Sequence, residues 1–387
     1  MNAQRPVIGS AVRIHRDALQ VLITALGERG YEVIGPSVHD SVISYGPIHA
    51  VEDLPEGWTS EQAPGSYRLK RRTDAALFGY AAGPNSLKNF LHPSEIKLFT
   101  AERTDGMFRI LSDDGLAPRR AFLGVRACEL AAAAVQDRVF LKDRFKDPIY
   151  NQRRAGSIVI AVNCSDPSGV CFCTSMGTGT RAKAGYDLAL TEVIDCGTHE
   201  FLVEVGSETG AELLAGMEYS EASEELRRKS DHVTARAEQS IERQFENTGV
   251  AGLLKENFDH PRWDDVATRC LACGNCTMVC PTCFCVTVED SSDVTGDHAD
   301  RWRKWDSCFA LGFSYIHYGS VRLSTKSRYR QWLTHKLSYW HDQFGESGCV
   351  GCGRCIAWCP AGIDLTEEVA ALRAVAAPVE RTNGGGE

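Results

Sequence analysis

The chain has no unbroken apolar run of the roughly eighteen residues that a membrane-spanning helix needs. The nearest stretch, Ala121 to Val135, is interrupted by Arg126 and Glu129. The N-terminus, MNAQRPVIGS, contains no apolar segment of an export signal, so an extracellular disulfide framework is not expected. Positive charge is also short. The net charge is −9, which argues against nucleic acid as a general partner. There is no phosphate-binding P-loop, no serine nucleophile elbow and no zinc-protease helix. No catalytic constellation is left standing.

Cysteine is what the sequence has in excess: sixteen in 387 residues, with ordinary hydrophobic (43%) and charged (24%) content around them. In a cytoplasmic chain these thiols are expected to be reduced and to hold metal. Two stretches organise them, CLACGNCTMVCP at Cys270–Pro281 and CVGCGRCIAWCP at Cys349–Pro360. Both read C-x₂-C-x₂-C-x₃-C-P, the bacterial ferredoxin spacing for a cubane iron–sulfur cluster. Three thiolates two residues apart wrap one side of the cube, and Ala272, Gly274, Gly351 and Gly353 let the backbone come close. The fourth cysteine starts a turn leading to the other cluster, and proline stops the helix there. The spacing therefore assigns Cys270, Cys273, Cys276 and Cys359 to one [4Fe-4S] cluster, and Cys280, Cys349, Cys352 and Cys355 to a second. Zinc knuckles are the alternative, but zinc asks for neither the third cysteine nor the Cys-Pro ending.

The chain is long enough for two or three domains. Asp17 to Gly30 reads as an amphipathic helix leading into a strand near Tyr31–Ile34, and residues 36–119 read as short strands and turns. Ala121–Val125 and Ser157–Val162 read as buried strands, the first followed by an alanine-rich helix. That pattern predicts an α/β domain with a site at the strand ends. Cys128, Cys164, Cys171 and Cys173 fall there, around the turn sequence Ser-Asp-Pro-Ser-Gly, and could hold a third cubane. Gly177-Thr178-Gly179-Thr180-Arg181-Ala182 fits a dinucleotide G-x-G-x-x-A on paper, but it follows a cysteine loop and not a strand, so it is read as wrapping that site. Cys196 is isolated and read as structural, with two strands expected around it over Tyr186–Val205.

Residues 219–256 read as one or two charged, solvated helices. After the first cysteine run come Cys283, Cys285 and Cys308, which could bind a further metal centre. The 68 residues between Cys280 and Cys349 exceed what a minimal two-cluster ferredoxin needs. Their aromatics (Trp302, Trp305, Phe309, Phe313, Tyr315) are expected in a core. Their bases (Arg301, Arg303, Lys304, Arg322, Lys326, Arg328, Arg330, Lys336) are expected on a solvated face, at a docking surface or anchoring the loop of Cys308. His317, His335 and His341 are read as ordinary histidines. A final helix is expected over Ile363–Val375, capped near Asp364, then a disordered tail. The layout is thus mixed α+β: an N-terminal α/β domain (1–218), a helical linker (219–260), a dicluster ferredoxin-like domain (261–375) with an insertion at 286–348, and a tail (376–387).

GVRACEL, VNCSDPSGVCFCTSMGTG, GYDLALTE, CLACGNCTMVCPTCFC, WDSC, RYRQWLTHK and CVGCGRCIAWCP together resemble the β (iron–sulfur) subunit of cytoplasmic bidirectional nickel–iron hydrogenases of the sulfhydrogenase type. The chain is also similar to the related A subunit of anaerobic sulfite reductase. The resemblance spans nearly the whole chain; where the family has a GHN-like turn after WDSC, this sequence has His317-Tyr318-Gly319-Ser320. It implies a hetero-oligomer in which large and small hydrogenase subunits handle H₂ and a flavin (FAD) subunit handles NAD(P). This chain would carry electrons between them without being catalytic itself. Two rival readings remain: the iron–sulfur subunit of a sulfite reductase, and a zinc-stapled scaffold with no redox role.

Overall fold

The computed structural model describes residues 5–112, 117–142, 144–195 and 197–376. Cys196 and the tail from residue 377 lie outside them. Among the described residues no helix is long and apolar enough to cross a membrane.

An eight-stranded sheet forms the body of the N-terminal part. Its order is Ser220–Glu221, Ala11–His15, Thr198–Val205, Leu188–Asp195, Ile158–Val162, Arg120–Val125, Glu32–His39, Val42–Pro47. The four strands from Leu188–Asp195 to Glu32–His39 pair in parallel, and the outer pairs are antiparallel. Both faces of the middle are covered, which is why its strands are apolar throughout. Ala121 and Leu123 join one core with Ile158, Ile160 and the helix Ala18–Glu28, through Leu19, Leu22, Ile23 and Leu26. Phe122 and Val125 face the opposite core, with Leu130, Ala133 and Tyr150. Burying each of those helix side chains contributes about 1.5–3 kcal/mol. The expected helix and strands are therefore present.

The strand Arg120–Val125 carries a register shift at Gly124, whose φ is +85°. A side chain there would press on Pro36 and Phe78 at 3.1–3.2 Å. The bulge re-aims the strand end. Arg126 turns inward, fully buried, and donates to the carbonyls of Phe78 (2.5 Å), Tyr80 (2.9 Å) and Asn163 (3.0 Å). The helix Ala127–Phe140 then begins with Cys128 in its first turn.

The remaining elements depart from the expected division of the chain. Val286–Ser292 and His298–Trp305 form an antiparallel sheet with Glu95–Thr104 and Met107–Ser112. The first third or so of the expected insertion is thus an extension of the N-terminal part. The charged stretch forms two helices, Glu224–Gln239 and Val250–Glu256. The first is not purely solvated: Leu226 packs with Ala11, Val193 and Leu202 against the sheet. In the aromatic group Phe309 is in the core, whereas Tyr315 is 60% exposed on a short hairpin, Tyr315–Ile316 with Gly319–Ser320, that includes His317 and Tyr318. The final helix, Leu365–Ala376, begins as expected at Asp364, whose carboxylate accepts the Thr366 N–H at 2.8 Å.

The ferredoxin part packs Trp263, Val266, Tyr329, Trp332, Leu333, Leu337, Ile356, Val369 and Leu372 into one core, with cysteines at its rim. One ion pair ties it to the sheet domain. Arg354, inside the second cysteine run, meets Glu129 at 2.5 Å, and both side chains are inaccessible. Glu129 also accepts the Leu87 N–H at 3.0 Å, and Arg354 donates to the Gly83 carbonyl at 2.6 Å. Removing one partner of such a pair leaves an uncompensated buried charge. Glu129→Gln is expected to cost about 3–5 kcal/mol of stability in denaturant unfolding. Glu225→Gln, in an exposed pair with Lys229, should leave the midpoint unchanged.

Candidate iron–sulfur centres

The two cysteine runs fold into the same loop twice. In the first, Ala272 (φ +50°) and Gly274 (φ +74°) are left-handed; in the second, Gly351 (+67°) and Gly353 (+74°) occupy the matching positions. Short helices Asn275–Met278 and Arg354–Ala357 follow. Left-handed residues turn the chain around the thiols and aim N–H groups at sulfur: Ala272 N–H lies 3.4 Å from Cys270 Sγ. An alanine held at positive φ marks a site where strain is retained.

The thiols of the two runs lie near one another. Cys270, Cys273, Cys276 and Cys359 line one cavity with Phe309, Tyr329, Trp332, Ile363 and Leu365. Cys355 lines it too, so the two groups adjoin. The thiols acting on Cys355 are Cys349, Cys280 and Cys352 of its own run and its crossover, and Cys276 of the first run. Burial pushes the thiols of Cys276, Cys352 and Cys355 up, so without metal they stay protonated. Metal binding reverses that, because a coordinated thiol gives up its proton. Among the described residues no three His, Cys, Asp or Glu side chains are grouped closely enough to hold a single metal ion.

The third group stands at the strand ends. Cys128 is acted on by Cys352 and Cys173, and Cys173 by Cys171, Cys164 and Cys352. Ser168 Oγ lies 3.2 Å from Cys171 Sγ. Gly177 to Gly179 fold back onto Cys173, whose carbonyl accepts the N–H groups of Met176 and Thr178, both at 3.1 Å. They wrap the cysteine loop and do not follow a strand. The loop lies directly on the second ferredoxin run: Phe172 N–H donates to the Gly351 carbonyl (2.9 Å) and Thr178 Oγ1 to that of Val350 (2.7 Å).

Cys283, Cys285 and Cys308 do not meet as one trio. Cys283 pairs with Cys280, and Cys285 with Cys308, whose hydrogen bond lowers the Cys285 thiol to about 7. His317 is exposed, and His335 and His341 are half-buried.

Sequence reasoning missed the charges packed around the second group. Lys336 reads like the other bases of its stretch but is buried, with Nζ 3.2 Å from Cys280 Sγ. Lys88 is buried against the Trp305 ring (3.8 Å) and donates to the Met278 carbonyl (3.1 Å). Other bases of the stretch form ion pairs: Arg301 with Asp290, Arg303 with Asp147, Lys326 with Asp264. No pattern in RYRQWLTHK marks which base turns inward; only the packing of its helix does.

A Cβ on Gly353 would fall 2.2 Å from the Val170 carbonyl oxygen, and one on Gly351 would fall 2.7 Å from Cys173 backbone atoms. Gly345 has a similar φ (+75°) and open space around it. Gly345→Ala should therefore lose only the backbone term, about 1–2 kcal/mol. Gly353→Ala should lose about 1–3 kcal/mol more, because two backbones must separate. Equal losses in denaturant unfolding would contradict the packing described.

Residues 269–363 match the family model of the 4Fe-4S dicluster domain. Over 356 residues the chain is 29% identical to the sulfhydrogenase 2 subunit beta of Pyrococcus furiosus, covering 91% of this chain and 95% of that one. No solved structure matches it. Residues 269–363 are a 4Fe-4S dicluster domain, set in a chain that resembles the β subunit of a sulfhydrogenase along nearly its whole length.

Proposed function

We propose that this chain is the electron-transfer subunit of a cytoplasmic, NAD(P)-linked nickel–iron hydrogenase. It would pass electrons between the hydrogenase large and small subunits and a flavin subunit. The observation that carries the reading is the duplicated left-handed cysteine loop in a stretch that matches the 4Fe-4S dicluster domain, its two runs lying side by side. Cys270, Cys273, Cys276 and Cys359 would hold one cluster, and Cys280, Cys349, Cys352 and Cys355 the other. Cys128, Cys164, Cys171 and Cys173 would hold a third beside the second. Bound there, a cubane takes up and releases one electron, at a potential the protein sets within about −700 to +450 mV. The chain's own part is to bury the thiols, aim N–H groups at sulfur and keep neighbouring groups close. Tunnelling falls steeply with distance, so three groups in succession suit a path between partners at both ends.

The whole-length similarity to a sulfhydrogenase β subunit favours hydrogenase partners over those of a sulfite reductase. Isolation of the native complex separates the two: nickel with the co-purifying subunits supports the proposal, sirohaem the alternative. Within that complex, Cys276→Ala should remove one ferredoxin-type cluster. H₂-driven NAD(P) reduction should fall to below about 1% of the parent, whereas H₂ oxidation with an artificial acceptor at the catalytic subunit should be retained. Loss of both activities from an intact complex would contradict the role as a carrier.

A further inference from the structure

The two ferredoxin-type groups share one sequence pattern but not one electrostatic setting. Cys359, which crosses over to the first group, receives only the Ile363 N–H at 3.4 Å, in a cavity walled by aromatic and aliphatic side chains. Its counterpart Cys280 faces an ammonium group. Lys336 lies in a π-helical turn, His335–Tyr339, that interrupts the helical run from Thr325 to Phe344. Such turns are rare and often sit at functional sites. Lys336 is 5% exposed, and Nζ is 3.0 Å from Thr282 Oγ1, 3.2 Å from Cys280 Sγ, 3.2 Å from the Gly348 carbonyl and 3.8 Å from Cys283 Sγ.

Among the described residues no carboxylate lies within ion-pair distance of Lys336. A buried cation without a countercharge is a cost that folds avoid. Here the countercharge can only come from the cysteine side. A cubane on four thiolates is net negative, and reduction adds one more negative charge. A fixed ammonium 3.2 Å from a ligand sulfur stabilises the reduced state more than the oxidised one. Arg354 is also next to this group, beside Cys352, but Glu129 neutralises it. Lys336 has no such partner.

We propose that Lys336 is a positioning residue that raises the reduction potential of the centre held by Cys280, Cys349, Cys352 and Cys355 above that of its twin. The inference rests on the ligand assignment proposed above. With both centres loaded, one electron would pass from the centre at Cys270, Cys273, Cys276 and Cys359, which would be oxidised, to the one beside Lys336, which would be reduced. The asymmetry makes the second centre the electron sink of the pair.

The test is an EPR-monitored redox titration of the whole chain in its complex, comparing the parent with Lys336→Gln and Lys336→Met. In the variants the reduction equilibrium of one ferredoxin-type centre should shift at least tenfold toward the oxidised form, about 59 mV for a one-electron couple, with the other centre unmoved. Shifts under twofold in an iron-replete variant, or a shift of the other centre, overturn the proposal. Should both variants lose iron, the parent decides. Its two centres must titrate at least tenfold apart, and the one lost in Cys276→Ala must be the harder to reduce; titration together, or in the reverse order, overturns the proposal. Parent protein with too little iron for two cubes contradicts the ligand assignment, whereas full iron with unmoved potentials contradicts only the role of Lys336.

Discussion

The contact between Val170–Cys173 and Gly351–Gly353 is the constraint on which the rest of the architecture depends. Two cysteine loops some 180 residues apart in the chain lie backbone to backbone, so close that neither glycine has room for a single carbon more. The left-handed φ values at both positions, needed to turn the chain around the thiols, leave the space facing the other loop empty. One residue type thus serves the local turn and the long-range contact together. Around that contact the buried Arg354–Glu129 pair joins the second cysteine run to the helix that carries Cys128. The sheet domain and the ferredoxin domain are therefore not beads on a string. A four-stranded sheet built from both strengthens the join.

The placement of charge follows from the same burial. Burial pushes the Cys276 and Cys355 thiols up, since a buried thiolate is penalised. A metal centre removes that penalty by binding the thiolate, and so links folding to loading. Buried cations at Lys336, Arg354 and Lys88 then gain a negative neighbour. Their concentration on the Cys280 side, with the first group walled by aromatic and aliphatic side chains, separates two sites that look interchangeable in the sequence. Nearest solvent, by contrast, is the first group, through the exposed Cys273.

Much of this was legible in the sequence because cluster ligation is local. Cys-x₂-Cys-x₂-Cys-x₃-Cys is a statement about reach along the backbone, and both runs fold into the same left-handed loop. The strands Arg120–Val125 and Ile158–Val162 were equally plain, since strands covered on both faces are continuous apolar runs. What could not be read depends on partners far apart in the chain. The pairing of His298–Trp305 with Glu95–Thr104 spans some two hundred residues, and a boundary drawn from composition passes through it. Lys336 reads like the other bases of its stretch, and lysine is rarely buried. Nothing in its neighbours reveals that a π-helical turn points it at Cys280. Tyr315 went the other way: an aromatic residue expected in the core stands on an exposed hairpin.

Counting iron, acid-labile sulfide and zinc per chain on anaerobically purified protein tests the central claim most directly. Three four-cysteine groups predict about twelve iron and twelve sulfide, with no stoichiometric zinc. About eight of each would confine the clusters to residues 269–363 and make Cys128, Cys164, Cys171 and Cys173 structural. Zinc without sulfide would contradict electron transfer as the work of this chain.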